Sequence, residues 1–204
     1  MKNMSIVDFA EVTASKSAVP GGGSIAALSG GMAAALVEMV SNLTIGNKKY
    51  TDAEEKMMKL RDKAQPLRKE LLDDIEKDSK AYADVMNAYK LPKVTDEENN
   101  IRRKAIQEGL KTAVEVPLEI ASKGCKVLDL SEEAVKYGNK NAVTDGMVSA
   151  MMARTAVLAA LLNAKINLGS IKDIEFVASM TEKIKSIETL CIEKEEKILN
   201  SVSL

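Results

Sequence analysis

The side chains able to do chemistry in this chain form a short inventory, because its 204 residues include no histidine. A Ser-His-Asp or Cys-His nucleophile and any histidine-ligated metal are thereby excluded. Proton transfer falls to Asp, Glu, Lys, Tyr, Cys or bound water. Asp78 and Tyr82 stand four residues apart and share a helix face, with Tyr89 two turns on. A carboxylate beside a phenol suits general acid–base work; the plain alternative is a solvated face with a half-buried tyrosine. Asn141 and Asp145 repeat that spacing, with Asp145 opening a helix otherwise free of charge until Arg154. Asp145 is either a favourable partner of the helix dipole or a carboxylate whose pKa is raised by a low dielectric. Lys48 and Lys49 follow an apolar helix. They either satisfy its last carbonyls or bind an anion.

The backbone adds a fourth group. Pro20-Gly21-Gly22-Gly23-Ser24 directly precedes an Ala-rich run, Ile25 to Leu43. Glycine lets a ligand approach the main chain closely, and proline holds the entry rigid. A helix beginning near Ser24 would aim free N–H groups at whatever lies over the glycines. A simple helix cap is the competing reading. The loop lacks the Gly-Lys-Ser/Thr ending of a phosphate loop. No strand precedes it, as a dinucleotide fingerprint requires.

The elements that must position these groups read as helices. Hydrophobic residues are 46% and aromatics only 3%, so Ala, Leu, Ile, Val and Met fill a core of helical character. No stretch alternates with period two for long. The expected fold is all-α, an antiparallel multi-helix bundle of seven to nine helices in a single domain, 1–204, with two buried Ala/Gly-rich helices. These two, Ser24–Leu43 and Ala142–Leu162, are apolar nearly all round and belong in the middle of the bundle. Both approach membrane-span length, but Glu38, Asp145 and Arg154 fall within them, which argues for buried helices and against a membrane partner.

Start signals are Ser5, Thr51 and Thr95 with Glu98. Ser131 caps a short helix, and Ser170 caps the last one, Ile171 to Asn200. Pro66 and Pro117 kink or break the long helices, and Gly124 caps another. Val177, Met180, Ile184, Ile187, Cys191, Lys194 and Ile198 form one stripe of the last helix, which packs on the bundle or forms a subunit seam. The net charge of −1 gives no basic field for nucleic acid. Cys125 and Cys191 read as small hydrophobes in a reducing compartment, and the N-terminus lacks a signal-peptide core, so a cytoplasmic location is expected.

In order, Pro20–Ser24, Leu43–Gly46 with Lys48-Lys49-Tyr50, Asp78 with Ala81-Tyr82, Asn139–Asp145 and Asn163–Leu168 make the chain similar to the formimidoyltetrahydrofolate cyclodeaminase / methenyltetrahydrofolate cyclohydrolase family. That resemblance covers nearly the whole chain. It implies an all-helical homodimer that binds a tetrahydrofolate one-carbon derivative in a cleft between helices and uses no metal, redox cofactor or covalent nucleophile. It implies proton transfer by Asp145 with Asn141 orienting, and Asp78 beside Tyr82 as a second base or pterin partner. Lys48 and Lys49 would meet the folate carboxylates, and Pro20, Gly21, Gly22, Gly23, Ser24 and Asn139 would line the ligand. A chain without an attached formiminotransferase domain leans to the cyclohydrolase. The cyclodeaminase is the alternative, and a non-enzymatic helical interaction module is the competing class.

Overall fold

The computed structural model describes residues 1–203. Their regular structure is helical throughout: α1 (Ile6–Ala14), α2 (Gly22–Thr44), α3 (Glu54–Tyr89), α4 (Asp96–Tyr137), α5 (Val143–Leu168) and α6 (Ile174–Asn200). Short 3-10 turns at Lys48–Ala53 and Lys140–Ala142 precede α3 and α5. The all-α expectation holds, with six α-helices among the described residues rather than seven to nine.

The shortfall has local causes. Pro66 and Pro117 sit inside α3 and α4 without ending them. Pro117 has no N–H for the carbonyl of Ala113 one turn back, and the Asn167 side-chain amide of α5 donates to that carbonyl at 2.8 Å. Gly124 caps nothing. It lies mid-helix where a Cβ would meet Val157 Cγ2 at 2.7 Å, so it lets α4 and α5 approach closely. Ser131 starts no helix either; its hydroxyl donates to the Val127 carbonyl one turn back.

Thr95 and Glu98 form the expected capping box, and Ser5 caps α1. Thr51 does not cap α3 but lies inside the preceding 3-10 turn, which Asn47 caps instead. Asp173, not Ser170, caps α6 by accepting from the Phe176 N–H.

Helices α2 to α5 run up and down as a four-helix bundle. The ends of α2 and α5 show their antiparallel register: Gly22 lies against Asn163, Ser149 donates to the Ala33 carbonyl, and Asn139 donates to the Leu43 carbonyl. Ala26, Ala27, Ala33, Ala34, Val37 and Val40 of α2 are wholly buried. Gly30 and Gly31 admit Leu71 and Leu72 of α3 at contact distance. The stripe on α6 packs onto the bundle through Ile184, Cys191 and Ile198. Its polar break, Lys194, pairs with Asp129 and Glu132 of α4.

The expected central position of α2 is not what the bundle adopts. The helix occupies a corner rather than the middle, and its outer face exposes Met32 at 47% and Leu43 at 49%. The outer face of α5 exposes Met151 and Leu162 in the same manner.

The core also holds a charge. Asp74 is 1% exposed and accepts from Lys77 and Lys123, each at 2.6 Å, tying α3 to α4. Replacing Asp74 by alanine leaves the largely buried Lys123 without its closest partner. The expected cost is about 3 kcal/mol, read as a lower urea midpoint at unchanged slope.

Candidate functional site

The glycine loop is built from the helix start outward. The helix α2 begins at Gly22, two residues earlier than the sequence suggested, with Gly21 as an N-cap that has no side chain to offer. Its first N–H groups therefore need partners from elsewhere. Asp78, half-buried on α3, supplies one set. The Ser24 hydroxyl donates to Asp78 Oδ2 at 2.8 Å, and the Ser24 backbone N–H donates to the same carboxylate. The N–H groups of Gly22 and Gly23 have no partner among the described residues. Pro20 is buried behind this turn and follows a cis peptide bond.

Gly23 is dictated by this arrangement. A Cβ there would lie 2.0 Å from Asp78 Oδ1 and 2.6 Å from its Cγ. At Gly22 a Cβ would press on the Asn163 amide at 3.1 Å.

These groups wall a cavity of about 360 Å³ between the start of α2, the middle of α3, the middle of α4 and the end of α5. Asp78 and Tyr82 both open into it, as their shared helix face implied. Asp78 is its one formal charge, and no Lys or Arg lines it. Burial pushes the Asp78 carboxyl above the usual carboxylate range, against the opposing pull of the hydroxyl and N–H of Ser24. Such a cavity suits a flat, partly apolar ligand that carries positive charge or hydrogen-bond donors opposite Asp78.

Asn163 and Asn167 complete the cavity from α5. They belong to a stretch the sequence marks only by resemblance, which gives them no role in the site. The available signal is an amide pair one turn apart at the end of an otherwise apolar helix. Pro117 also lines the wall, where the sequence suggested only a kink.

The remaining expected site residues lie elsewhere in the protomer. Lys48, Lys49, Asn139, Asn141 and Asp145 gather where α2 ends and α5 begins. From Gly23 to Thr44 is about 30 Å at 1.5 Å per residue. Within one protomer they do not reach the ligand groups around Asp78. Sequence spacing shows neighbours along a helix and not which end of it a distant residue occupies.

At this second end Asn139 is engaged with the backbone. Its Nδ2 donates to the Leu43 carbonyl at 3.0 Å and its Oδ1 accepts from Asn141 N–H. Asn139 thus closes α2, and the lysines do not. Lys48, Lys49 and Lys140 are without ion pairs or side-chain hydrogen bonds among the described residues. Tyr50 braces the turn by accepting from the Lys140 N–H at 2.9 Å. Asp145 is half-buried in the first turn of α5, and no hydrogen bond joins it to Asn141 among the described residues.

A second cavity of about 560 Å³ lies between α4 and α6 and brings Cys125 and Cys191 together. Burial pushes their thiols up to about 11 and about 12, so neither is a ready nucleophile. Lys194 and Lys197 on its rim are paired with Glu132. No group of three or more acidic or cysteine side chains suited to a metal occurs among the described residues.

The chain has relatives among known proteins. A family model described as formiminotransferase-cyclodeaminase matches residues 5–186. The chain is 41% identical over 191 residues to the methenyltetrahydrofolate cyclohydrolase of Methylorubrum extorquens, covering 94% of this chain and 90% of that one. It is 34% identical to the formimidoyltransferase-cyclodeaminase of Rattus norvegicus over 88% of its own length, but spans only 33% of that relative. Among solved structures, formiminotetrahydrofolate cyclodeaminase from Thermotoga maritima superposes with a TM-score of 0.83 at 28% identity, covering 98% of each chain.

Proposed function

Because the chain belongs to the formiminotransferase-cyclodeaminase family, we propose that it hydrolyses 5,10-methenyltetrahydrofolate to 10-formyltetrahydrofolate, with the chemistry centred on Asp78. The observation that carries this reading is the lone, half-buried carboxylate in a cavity whose lining holds no cation. The methenyl bridge is a cation delocalised over two nitrogens, so it is the substrate such a cavity favours.

Water adds to the methenyl carbon while Asp78 takes its proton, giving a neutral tetrahedral carbon between the two nitrogens. Breaking the carbon bond to N5, with a proton delivered to that nitrogen, leaves the formyl group on N10. One water enters and one proton is released to solvent. The free N–H groups of Gly22 and Gly23 serve the pterin's acceptors, and Tyr82 and Asn163 border the ring. Loss of methenyl absorbance above the spontaneous rate tests the assignment. No acceleration by the purified protein would remove it.

The second reading is the cyclodeaminase, favoured by the family model and by the relatives that carry this activity in their names. There N10 attacks a formimino carbon and ammonia leaves, with the same carboxylate taking the N10 proton. Ammonia release from 5-formiminotetrahydrofolate, set against methenyl hydrolysis by the same preparation, ranks the two. A homodimer is part of this reading, and the free thiols of Cys125 and Cys191 support a cytoplasmic location.

Ser24 provides a graded check. Its hydroxyl favours the ionised Asp78, so Ser24→Ala leaves burial less opposed and raises the Asp78 pKa further. The acid limb of kcat/KM is expected to move to higher pH, with the plateau reduced about tenfold. An unmoved limb would separate Asp78 ionisation from turnover.

A further inference from the structure

The two sides of the cavity around Asp78 differ in what they offer a ligand. Asp78 stands where α3 meets α2, against Gly23. Asn167 stands on the other side, where α5 meets α4, and its amide is held in one orientation. Pro117 lacks an N–H, so the Ala113 carbonyl of α4 has no helical partner. Asn167 Nδ2 donates to that carbonyl at 2.8 Å and to the Asn163 carbonyl at 2.9 Å. Both hydrogens of the amide nitrogen are thereby committed. Turning the amide over would set Oδ1 against two carbonyl oxygens. Asn167 Oδ1 has no partner among the described residues, and the residue lines the cavity together with Ala113 and Pro117. Asn163 is held less tightly. Its Nδ2 donates only to the Ala159 carbonyl, at 2.9 Å, which leaves one N–H and Oδ1 able to adapt to a ligand.

We propose that Asn167 is a specificity-determining residue that presents Oδ1 to the amino-bearing edge of a pterin ring, and that Pro117 positions it through the carbonyl it frees. The pyrimidine half of a pterin carries hydrogen-bond donors on its 2-amino group and at N3. The one-carbon bridge belongs to the other half, between N5 and N10. A substrate with that bridge at Asp78 extends its amino edge across the cavity, toward α4 and α5. An acceptor that cannot become a donor rewards an N–H there. A ring with a methyl group in that place leaves the acceptor unpaired and is rejected. A proline inside a helix is costly, and its place in the cavity wall gives it a use: it holds the asparagine as an acceptor only.

This role rests on the folate reading and names the part of the substrate that the α5 side of the cavity recognises. It also absorbs the stretch Asn163–Leu168, in which the two asparagines stand one turn apart on α5.

Calorimetric titration with tetrahydrofolate and with its 2-desamino-2-methyl analogue tests the role without turnover. The wild type is expected to bind the analogue about a hundredfold more weakly, because an acceptor is left without a donor. In Asn167→Ala that ratio should fall to about tenfold or less, with the loss borne by tetrahydrofolate. General damage to the cavity would weaken both ligands together and leave the ratio in place. Pro117→Ala provides a second variant that does not touch the asparagine. Alanine restores an N–H for the Ala113 carbonyl within α4 and is the better helix former. This variant should melt no lower than the wild type while its ratio falls severalfold.

A ratio that stays at the wild-type value in Asn167→Ala overturns the specificity role, and one that stays there in Pro117→Ala overturns the positioning by Pro117. Equal affinity of the wild type for the two ligands overturns both, with the folate reading intact. A wild type that binds neither ligand overturns the folate reading itself, and the role of Asn167 with it.

Discussion

Asp78→Asn is expected to lower methenyltetrahydrofolate turnover about a thousandfold while the protein stays folded, within the range for removal of a positioned general base. Asparagine keeps the shape of the side chain and an acceptor for Ser24, so the capping contact at the start of α2 survives. It cannot take a proton from water and cannot face a cation with a charge. Were Asp78 only a remote cap for α2, the asparagine variant would retain activity.

Stability separates the same two roles through the sign of linkage. Burial raises the Asp78 pKa in the folded state above its unfolded value. Such a group contributes stability that is fully present below the unfolded pKa and is lost as pH rises through the folded pKa. The ionised wild type therefore holds an unfavourable carboxylate at neutral pH. Asp78→Asn should be at least as stable as the wild type at pH 7, and the wild type should regain ground on acidification. Urea titrations of both proteins at two pH values check this. A clear loss of stability in Asp78→Asn at pH 7 would mark the carboxylate as structural. A residue that lowers stability and raises activity is the familiar trade at functional sites.

Gly23→Ala should cost about a hundredfold in kcat/KM with little loss of stability. The new Cβ would lie 2.0 Å from Asp78 Oδ1, so the carboxylate or the start of α2 must move. A displacement near 1 Å at a reacting group is enough for an effect of that size. Alanine is also the better helix former by about 1 kcal/mol, which offsets part of the strain. Activity and stability should thus diverge. Gly22→Ala presses only on the Asn163 amide, at 3.1 Å, and should be milder. Equal and small effects at both positions would show that the Asp78 placement does not limit the reaction. Steady-state kinetics beside thermal melts of the two variants distinguish these cases.

Much of this site is legible in the amino-acid sequence. The absence of histidine confines the chemistry to carboxylates and their neighbours. The pairing of Asp78 with Tyr82 follows from helical spacing, since residues four apart share a face whatever lies opposite. The glycine loop is legible as a place of close approach. What it approaches is not: the contact of Gly23 with Asp78 joins positions 55 residues apart. Local signals mislead where tertiary contacts outweigh them. Pro117 and Gly124 look like breaks, but one has its orphan carbonyl satisfied by Asn167 and the other lets α5 pack closely.

By itself the sequence determined the helical class, the capping of α1 and α4, the chemistry open to the chain and the family to which it belongs. These depend on residue type and on periodicity within one helix. The grouping of residues into a site was decided only by the antiparallel packing of α2 against α5. That packing draws Gly21–Ser24, Asp78, Asn163 and Asn167 together at one end and carries Lys48, Asn141 and Asp145 to the other. Helix axes of this length separate motifs that the sequence groups together, because a residue's neighbours across a bundle are fixed by register and direction rather than by order in the chain.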